Sequence, residues 1–91
     1  MTEFTKIAGS VLDYEEDWAT WLDTDTISSS SWVADTGVTI DSDSNTTTKA
    51  IVWLSGGTVG TSYDITNTIV TAGGRTDSRT IEITITDKKY D

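Results

Sequence analysis

The stretch from Thr80 to Thr86 alternates isoleucine with polar residues, and this alternation constrains the fold more than any other feature of the chain. Ile81, Ile83 and Ile85 occupy every second position. Because successive side chains of a β-strand point to opposite faces, the pattern predicts a strand with one buried face and one solvated face. This end of the chain should therefore belong to a sheet with one side covered by a core.

A second strand is predicted just before it, at residues 62–70, where Tyr63, Ile65 and Ile69 share one face. Between the two strands, residues 72–75 read Ala-Gly-Gly-Arg. Glycines tolerate the positive φ angles of a tight turn. The two strands and this turn predict an antiparallel hairpin.

The rest of the chain also has an amino-acid composition typical of short strands and turns. Threonine, serine, isoleucine and valine dominate, glycines come in small groups, and there is no proline. Further strands are predicted at residues 11–14, 26–34, 38–42 and 49–55. Turn signals recurring about every ten residues are typical of an antiparallel sandwich.

One short helix is predicted near residues 15–22, joining the first two strands. Trp18, Trp21 and Leu22 follow the i, i+3, i+4 spacing of a helix face. Asp13 can cap this helix, with Glu16 three residues later. The helix should lay its indoles onto the edge or the core of the sandwich.

Residues 60–65 read Gly-Thr-Ser-Tyr-Asp-Ile and resemble the corner that opens the sixth strand of immunoglobulin-like domains. In that corner a tyrosine hydroxyl bonds back to the backbone, two residues before a core position. Tyr63 and Ile65 would fill these structural roles, and Trp32 is expected in the core. The predicted fold is a single all-β, immunoglobulin-like antiparallel sandwich over residues 11–86. Residues 1–10 are predicted to be a flexible or interaction arm, and residues 87–91 a polar tail.

The charge of the chain argues against two classes of partner. Fifteen acidic and six basic residues give a net charge of −9, which repels nucleic acid phosphates and anionic lipids. No apolar run approaches the roughly 20 residues that a membrane-spanning helix needs. The first ten residues do not resemble a secretory signal. We therefore expect a protein made in the cytoplasm that binds neither nucleic acid nor membrane.

The composition also removes most catalytic and metal chemistry. The chain has no histidine and no cysteine. Histidine is the commonest general base, cysteine is the thiol nucleophile, and both are the usual ligands of zinc. We predict no catalytic, cofactor-binding or metal-binding residue and no enzymatic activity. Residues 41–45, Asp-Ser-Asp-Ser-Asn, begin like a calcium loop, but Thr46 and Val52 stand where glycine and glutamate are needed. A solvated turn is the favoured interpretation.

A second acidic stretch covers residues 13–17. Its four carboxylates could hold calcium, but acidic residues also favour the first turn of a helix. A solvated helix start is the favoured interpretation. Whether calcium binds here is left open.

Four tryptophans in so short a chain raise the question of an interface. Residues 50–54, which include Trp53, are apolar on both faces of their strand. One of the two faces must therefore meet something other than the opposite sheet, either the helix or a partner protein. The candidate interface residues are Phe4, Ile7, Trp18 and Trp53. If Trp53 or Trp18 is exposed on a flat face, sugar binding is the competing interpretation.

Several sequence blocks resemble a known family. They are Val11-Leu12-Asp13-Tyr14, Asp17-Trp18, Trp21-Leu22, Thr26-Ile27, Ser31-Trp32, Val52-Trp53-Leu54-Ser55-Gly56-Gly57-Thr58, Gly60 with Tyr63, and Thr71-Ala72-Gly73-Gly74-Arg75-Thr76-Asp77. Together they resemble a family of short proteins of tailed phages and prophages, the fibre-tail adaptors. The resemblance covers nearly everything from Val11 to Ile85.

The resemblance implies a non-enzymatic structural component of the virion, made in the cytoplasm of the bacterial host. Its partners would be other virion proteins of the tail, fibre or capsid, and it would be present in several symmetry-related copies. Exposed strand edges and the arm of residues 1–10 could add strands to a neighbouring subunit. Two alternatives stay open: a capsid decoration or cement protein, and a module that binds carbohydrate on the host surface.

Overall fold

Two packed β-sheets and one short helix make up the protein in a computed structural model, which describes residues 2–87. The elements are β1 (Thr2–Ile7), β2 (Leu12–Asp17), α1 (Ala19–Leu22), β3 (Ile27–Ala34), β4 (Val38–Asn45), β5 (Lys49–Gly56), β6 (Ser62–Thr71) and β7 (Thr76–Thr86). One sheet has the order β1-β7-β6-β3 and the other β2-β5-β4. The predicted all-β sandwich with one short helix is confirmed.

The predicted hairpin is β6 and β7, which pair antiparallel with Ile65 opposite Ile81. Ile81, Ile83 and Ile85 are all buried, and Thr80, Glu82 and the other alternate residues are not. The period of two residues thus sets which side of the sheet faces the core.

The core lies between the inner faces of the two sheets. Its buried apolar residues are Tyr14, Trp18, Leu22, Ile27, Trp32, Val38, Ala50, Val52, Leu54, Tyr63, Ile65, Ile69, Ile81, Ile83 and Ile85. Both sheets and the helix contribute, so a single core joins all the elements.

The corner at Tyr63 has the hydrogen bond that its sequence suggested. The Tyr63 hydroxyl accepts a 3.0 Å bond from the backbone N–H of Thr58. Gly37 lies against the ring with φ +116°, and a Cβ there would stand 2.8 Å from Cε1 of Tyr63. The corner and the strand order are compatible with the immunoglobulin-like interpretation, while the two-sheet sandwich is what the structure itself shows.

The N-terminal residues differ from the expected arm. Thr2–Ile7 forms strand β1, which pairs parallel to β7 at the edge of the four-stranded sheet. Phe4 packs against Tyr14 with ring centroids 5.1 Å apart, so it has a partner within the chain. An apolar alternation does not mark this strand, because its next inward position holds the charged residue Lys6, which is 1% exposed. Of the predicted polar tail, residues 88–91 lie outside the described residues.

The helix is shorter than predicted. It begins at Ala19, and the acidic residues before it belong to β2, so Asp13 does not cap it. Instead a side-chain oxygen of Asp17 accepts a 2.9 Å bond from the N–H of Ala19. Within residues 2–87, this four-residue helix is too short to cross a membrane.

Candidate protein interface

The central strand of the three-stranded sheet, β5, is apolar on both sides. Ala50, Val52 and Leu54 are fully buried in the core. Ile51 and Trp53 alternate with them and therefore lie on the outer side of the sheet. Trp53 remains 41% exposed.

The register of the sheet determines which residues surround this tryptophan. Asp13 of β2 stands opposite Trp53, and Glu15 stands opposite Ile51. On the other side, β4 places Ser42 opposite Trp53 and Ser44 opposite Ile51. Directly opposed residues share one face of a sheet. We call this surface the Trp53 face: Ile51, Trp53, Asp13, Glu15, Ser42 and Ser44.

Polar contacts around the Trp53 face are made between its own strands. Lys49 lies 3.5 Å from Glu15 in an exposed ion pair. The hydroxyl of Ser55 donates a 2.8 Å bond to Asp41. An exposed ion pair of this kind contributes little to stability.

The helix does not cover the Trp53 face. Trp21 of the helix lies 4.2 Å from the guanidinium of Arg75, in the turn before β7. Trp18, just before the helix, lies 4.1 Å from the guanidinium of Arg79 in β7. The sequence left open whether the helix or a partner protein covers this face. The structure shows that the helix does not.

The other three candidate interface residues are placed differently. Trp18 is fully buried, so it cannot present its ring to a partner or to a sugar in this structure. Its Nε1 donates a 2.9 Å bond to Oδ1 of Asn67 instead. Phe4 is partly buried against the core, and Ile7 is half-buried at the end of β1. The structure does not bring these residues together with Trp53 on one surface.

The bond from Trp18 belongs to a buried polar network that the sequence analysis missed. Asn67 lies fully buried in β6, and its Nδ2 donates to the hydroxyl of Ser30 and the carbonyl of Ser31 at 2.9 and 3.0 Å. A signal was present in the sequence, since Asn67 occupies the inward position between Ile65 and Ile69. A polar residue inside an apolar alternation points to a buried partner.

Lys6 makes a second buried polar contact. Its Nζ donates to the carbonyls of Ile7, Ala8 and Gly56 at 3.0, 3.3 and 2.9 Å. Burial lowers the pKa of Lys6, while the nearby carboxylate of Asp41 acts in the opposite direction. The residue ties β1 to the end of β5 and so has a structural task.

Asp25 ties the loop after α1 to the β6–β7 turn. Its carboxylate accepts bonds from the backbone N–H of Thr26 and Gly73 and pairs with Arg75 at 3.2 Å. Hydrogen bonds, with the Thr71 hydroxyl contributing most, lower the pKa of Asp25 to about 2. The carboxylate serves the packing of the turn.

The two acidic stretches do not form a metal centre in the residues that the structure describes. In β2 the carboxylates of Asp13 and Glu15 point outward, while Glu16 pairs with Arg79 at 3.2 Å. Residues 41–45 lie within β4 rather than in a turn. Alternation along strands separates the oxygens that a calcium ion would need around it.

Comparison with known protein families identifies the chain. A family model described as podophage GP4 fiber-tail adaptor protein gp77 matches residues 6–84. The chain belongs to the Gp77 family. The resemblance seen in the sequence is thereby confirmed, and this is a family of structural virion proteins of phages.

The Gp77 match begins within β1 and ends within β7. It therefore includes strands of both sheets, most of the core and the whole Trp53 face. A comparison with curated proteins gives no match.

Proposed function

We propose that this member of the Gp77 family joins neighbouring subunits of a phage particle where fibre and tail meet. It acts as a non-enzymatic structural adaptor, made in the cytoplasm of the bacterial host and then built into the virion in several symmetry-related copies. The observation that carries the proposal is the family match, which covers β2 to β6 in full and most of β7.

The geometry supports an adhesive role. Both sheets pack through one apolar core, which gives a rigid body that can transmit force between neighbours. A depression lined by Glu3, Phe4, Thr5 and Thr84 lies at the edge formed by β1. It contains one carboxylate and no buried nucleophile, an arrangement that does not resemble a catalytic pair.

Several copies on a symmetric particle would strengthen attachment. Each copy then contributes a modest contact, and linked contacts bind much more tightly than one. The four edge strands, β1, β3, β2 and β4, offer backbone groups for strand addition to a neighbour. With Thr2–Ile7 held in the sandwich, such an addition would use the edges of the folded domain.

Electron cryomicroscopy of purified particles tests the proposal. Maps of wild-type particles and of particles from a phage lacking this gene are compared, and the difference density is located. We expect it between tail and fibre, repeated with the symmetry of the tail. Difference density on the capsid surface would overturn the proposal and favour the decoration alternative.

A further inference from the structure

We propose that the Trp53 face is the surface that binds a neighbouring virion protein, and that this partner presents basic side chains around an apolar socket for Trp53. The inference rests on the proposed function and adds the binding surface and the chemistry of the partner to it. Two independent observations carry it, one about apolar exposure and one about charge.

Trp53 differs from the other aromatic residues of the chain. Among residues 2–87 every other aromatic side chain is buried or partly buried, while Trp53 is exposed. It stands on a central strand, away from the edges, where both neighbouring strands hold it in place. An exposed, rigidly mounted indole is the kind of residue that dominates binding at protein interfaces.

Exposed carboxylates lie beside Trp53 on its own sheet. Strands β2, β4 and β5 contain six acidic residues and a single basic one, Lys49. Five of the six are exposed, while Glu16 pairs with Arg79 of the other sheet. Asp13 stands directly beside Trp53 and Glu15 beside Ile51. Charge complementarity therefore requires a basic partner surface.

The same charge favours a protein over a glycan. Uncharged sugars gain no Coulomb attraction from a surplus of carboxylates, whereas arginine and lysine side chains do. Arginine can bond a carboxylate and also stack on an indole. Because Asp13 stands opposite Trp53, one arginine of a partner could bond the carboxylate and stack on the indole at the same place.

Complementation of a phage that lacks this gene tests the inference. Variants are supplied in the host during assembly, particles are purified, and copies of the chain per particle are counted by quantitative mass spectrometry. The test variants are Trp53→Thr, which keeps a good strand former, and the double variant Asp13→Asn/Glu15→Gln. The matched controls are Val33→Thr, at a residue of the other sheet that is 69% exposed, and Glu3→Gln/Glu82→Gln, an equal change of charge.

We expect Trp53→Thr to lower the occupancy of particles at least about tenfold. The double variant Asp13→Asn/Glu15→Gln should lower it by about threefold to tenfold. It should also come off the particle at a lower salt concentration than wild type, because salt screens exposed charges. Both controls should fill the particle as wild type does. Circular dichroism of each purified variant establishes that it folds.

Normal occupancy with folded Trp53→Thr would overturn the inference. So would equal effects of the two double variants, since the charge of the Trp53 face would then have no special part. If Trp53→Thr instead abolishes binding to purified host surface polysaccharide and fills particles normally, the face binds sugar. Location on the particle is measured separately by microscopy, so a chain at the tail with a dispensable Trp53 face refutes only the inference.

Discussion

Nε1 of Trp18 donates a 2.9 Å hydrogen bond to Oδ1 of Asn67 inside the sandwich, across the gap between the helix and the four-stranded sheet. The indole also lies under the guanidinium of Arg79. By contrast, Nε1 of Trp32, a core residue that is 9% exposed, is buried without a hydrogen-bond partner among residues 2–87. The two indoles thus differ in polar contacts although both belong to the core.

This difference predicts unequal costs for the same substitution. Trp18→Phe leaves a buried amide oxygen unpaired, which costs about 1–3 kcal/mol, whereas Trp32→Phe removes no hydrogen bond within the described residues. We expect Trp18→Phe to lower the free energy of unfolding by about that much more than Trp32→Phe, measured by urea titration. Equal losses would show that the bond to Asn67 does not stabilise the core.

Tyr63→Phe should lower the thermal midpoint by a few degrees, on the order expected for one lost hydrogen bond in a small domain. The substitution leaves the backbone N–H of Thr58 without its present acceptor. Val70→Thr, at an exposed position of the same strand, is the control for local change on β6. If Tyr63→Phe leaves the thermal midpoint unchanged, the hydrogen bond of this corner does not stabilise the fold.

The lowered pKa of Asp25 predicts that the stability of the fold decreases over a defined range of acidic pH. Hydrogen bonds, the one from Thr71 contributing most, hold the pKa of Asp25 at about 2 in the folded chain, below its value of about 3.9 in an unfolded chain. The unfolded state therefore takes up the proton first as the pH falls. The stabilisation is complete above about pH 4 and is lost as the pH falls from there towards 2.

The measurement compares Asp25→Asn with wild type by thermal unfolding across this pH range. The variant should be less stable near neutrality, and the difference should shrink as the pH falls to about 2. Asp23→Asn, which removes an exposed carboxyl two residues earlier, is the matched control. A difference between Asp25→Asn and wild type that stays constant from pH 5 to pH 2 would contradict the assignment.

Removal of residues 1–7 should destabilise the isolated domain. The truncation deletes β1, breaks its ladder with β7 and removes the ring contact between Phe4 and Tyr14. We expect a loss of at least about 2 kcal/mol in the free energy of unfolding. A truncated chain as stable as the full one would restore the idea that these residues form a free arm.

The sequence predicted most of the strands because one face of each is buried and the other is wet. The alternation at Ile81, Ile83 and Ile85 places the β6–β7 hairpin directly. Strand β1 could not be found in this way, since its inward positions hold Phe4 and the charged Lys6. Three carbonyls that accept hydrogen bonds from Lys6 make that position acceptable, and one of them, that of Gly56, comes from a distant part of the chain.

The helix and the candidate site show the same limit. Periodicity placed Trp21 and Leu22 correctly in a turn of helix, with Trp18 just before its start. The acidic residues 15–17 fit a strand as well as a helix start. The sequence showed that β5 is apolar on both faces. It could not show which side stays uncovered, because that depends on where the helix packs.

The carboxylates of Asp13 and Glu15 beside the exposed indole have a consequence for how the chain would meet a basic neighbour. Attraction between opposite charges acts over about a Debye length, before any side chains touch. On the proposed surface this attraction would draw the tryptophan side of the chain towards its partner, so that more collisions would lead to binding.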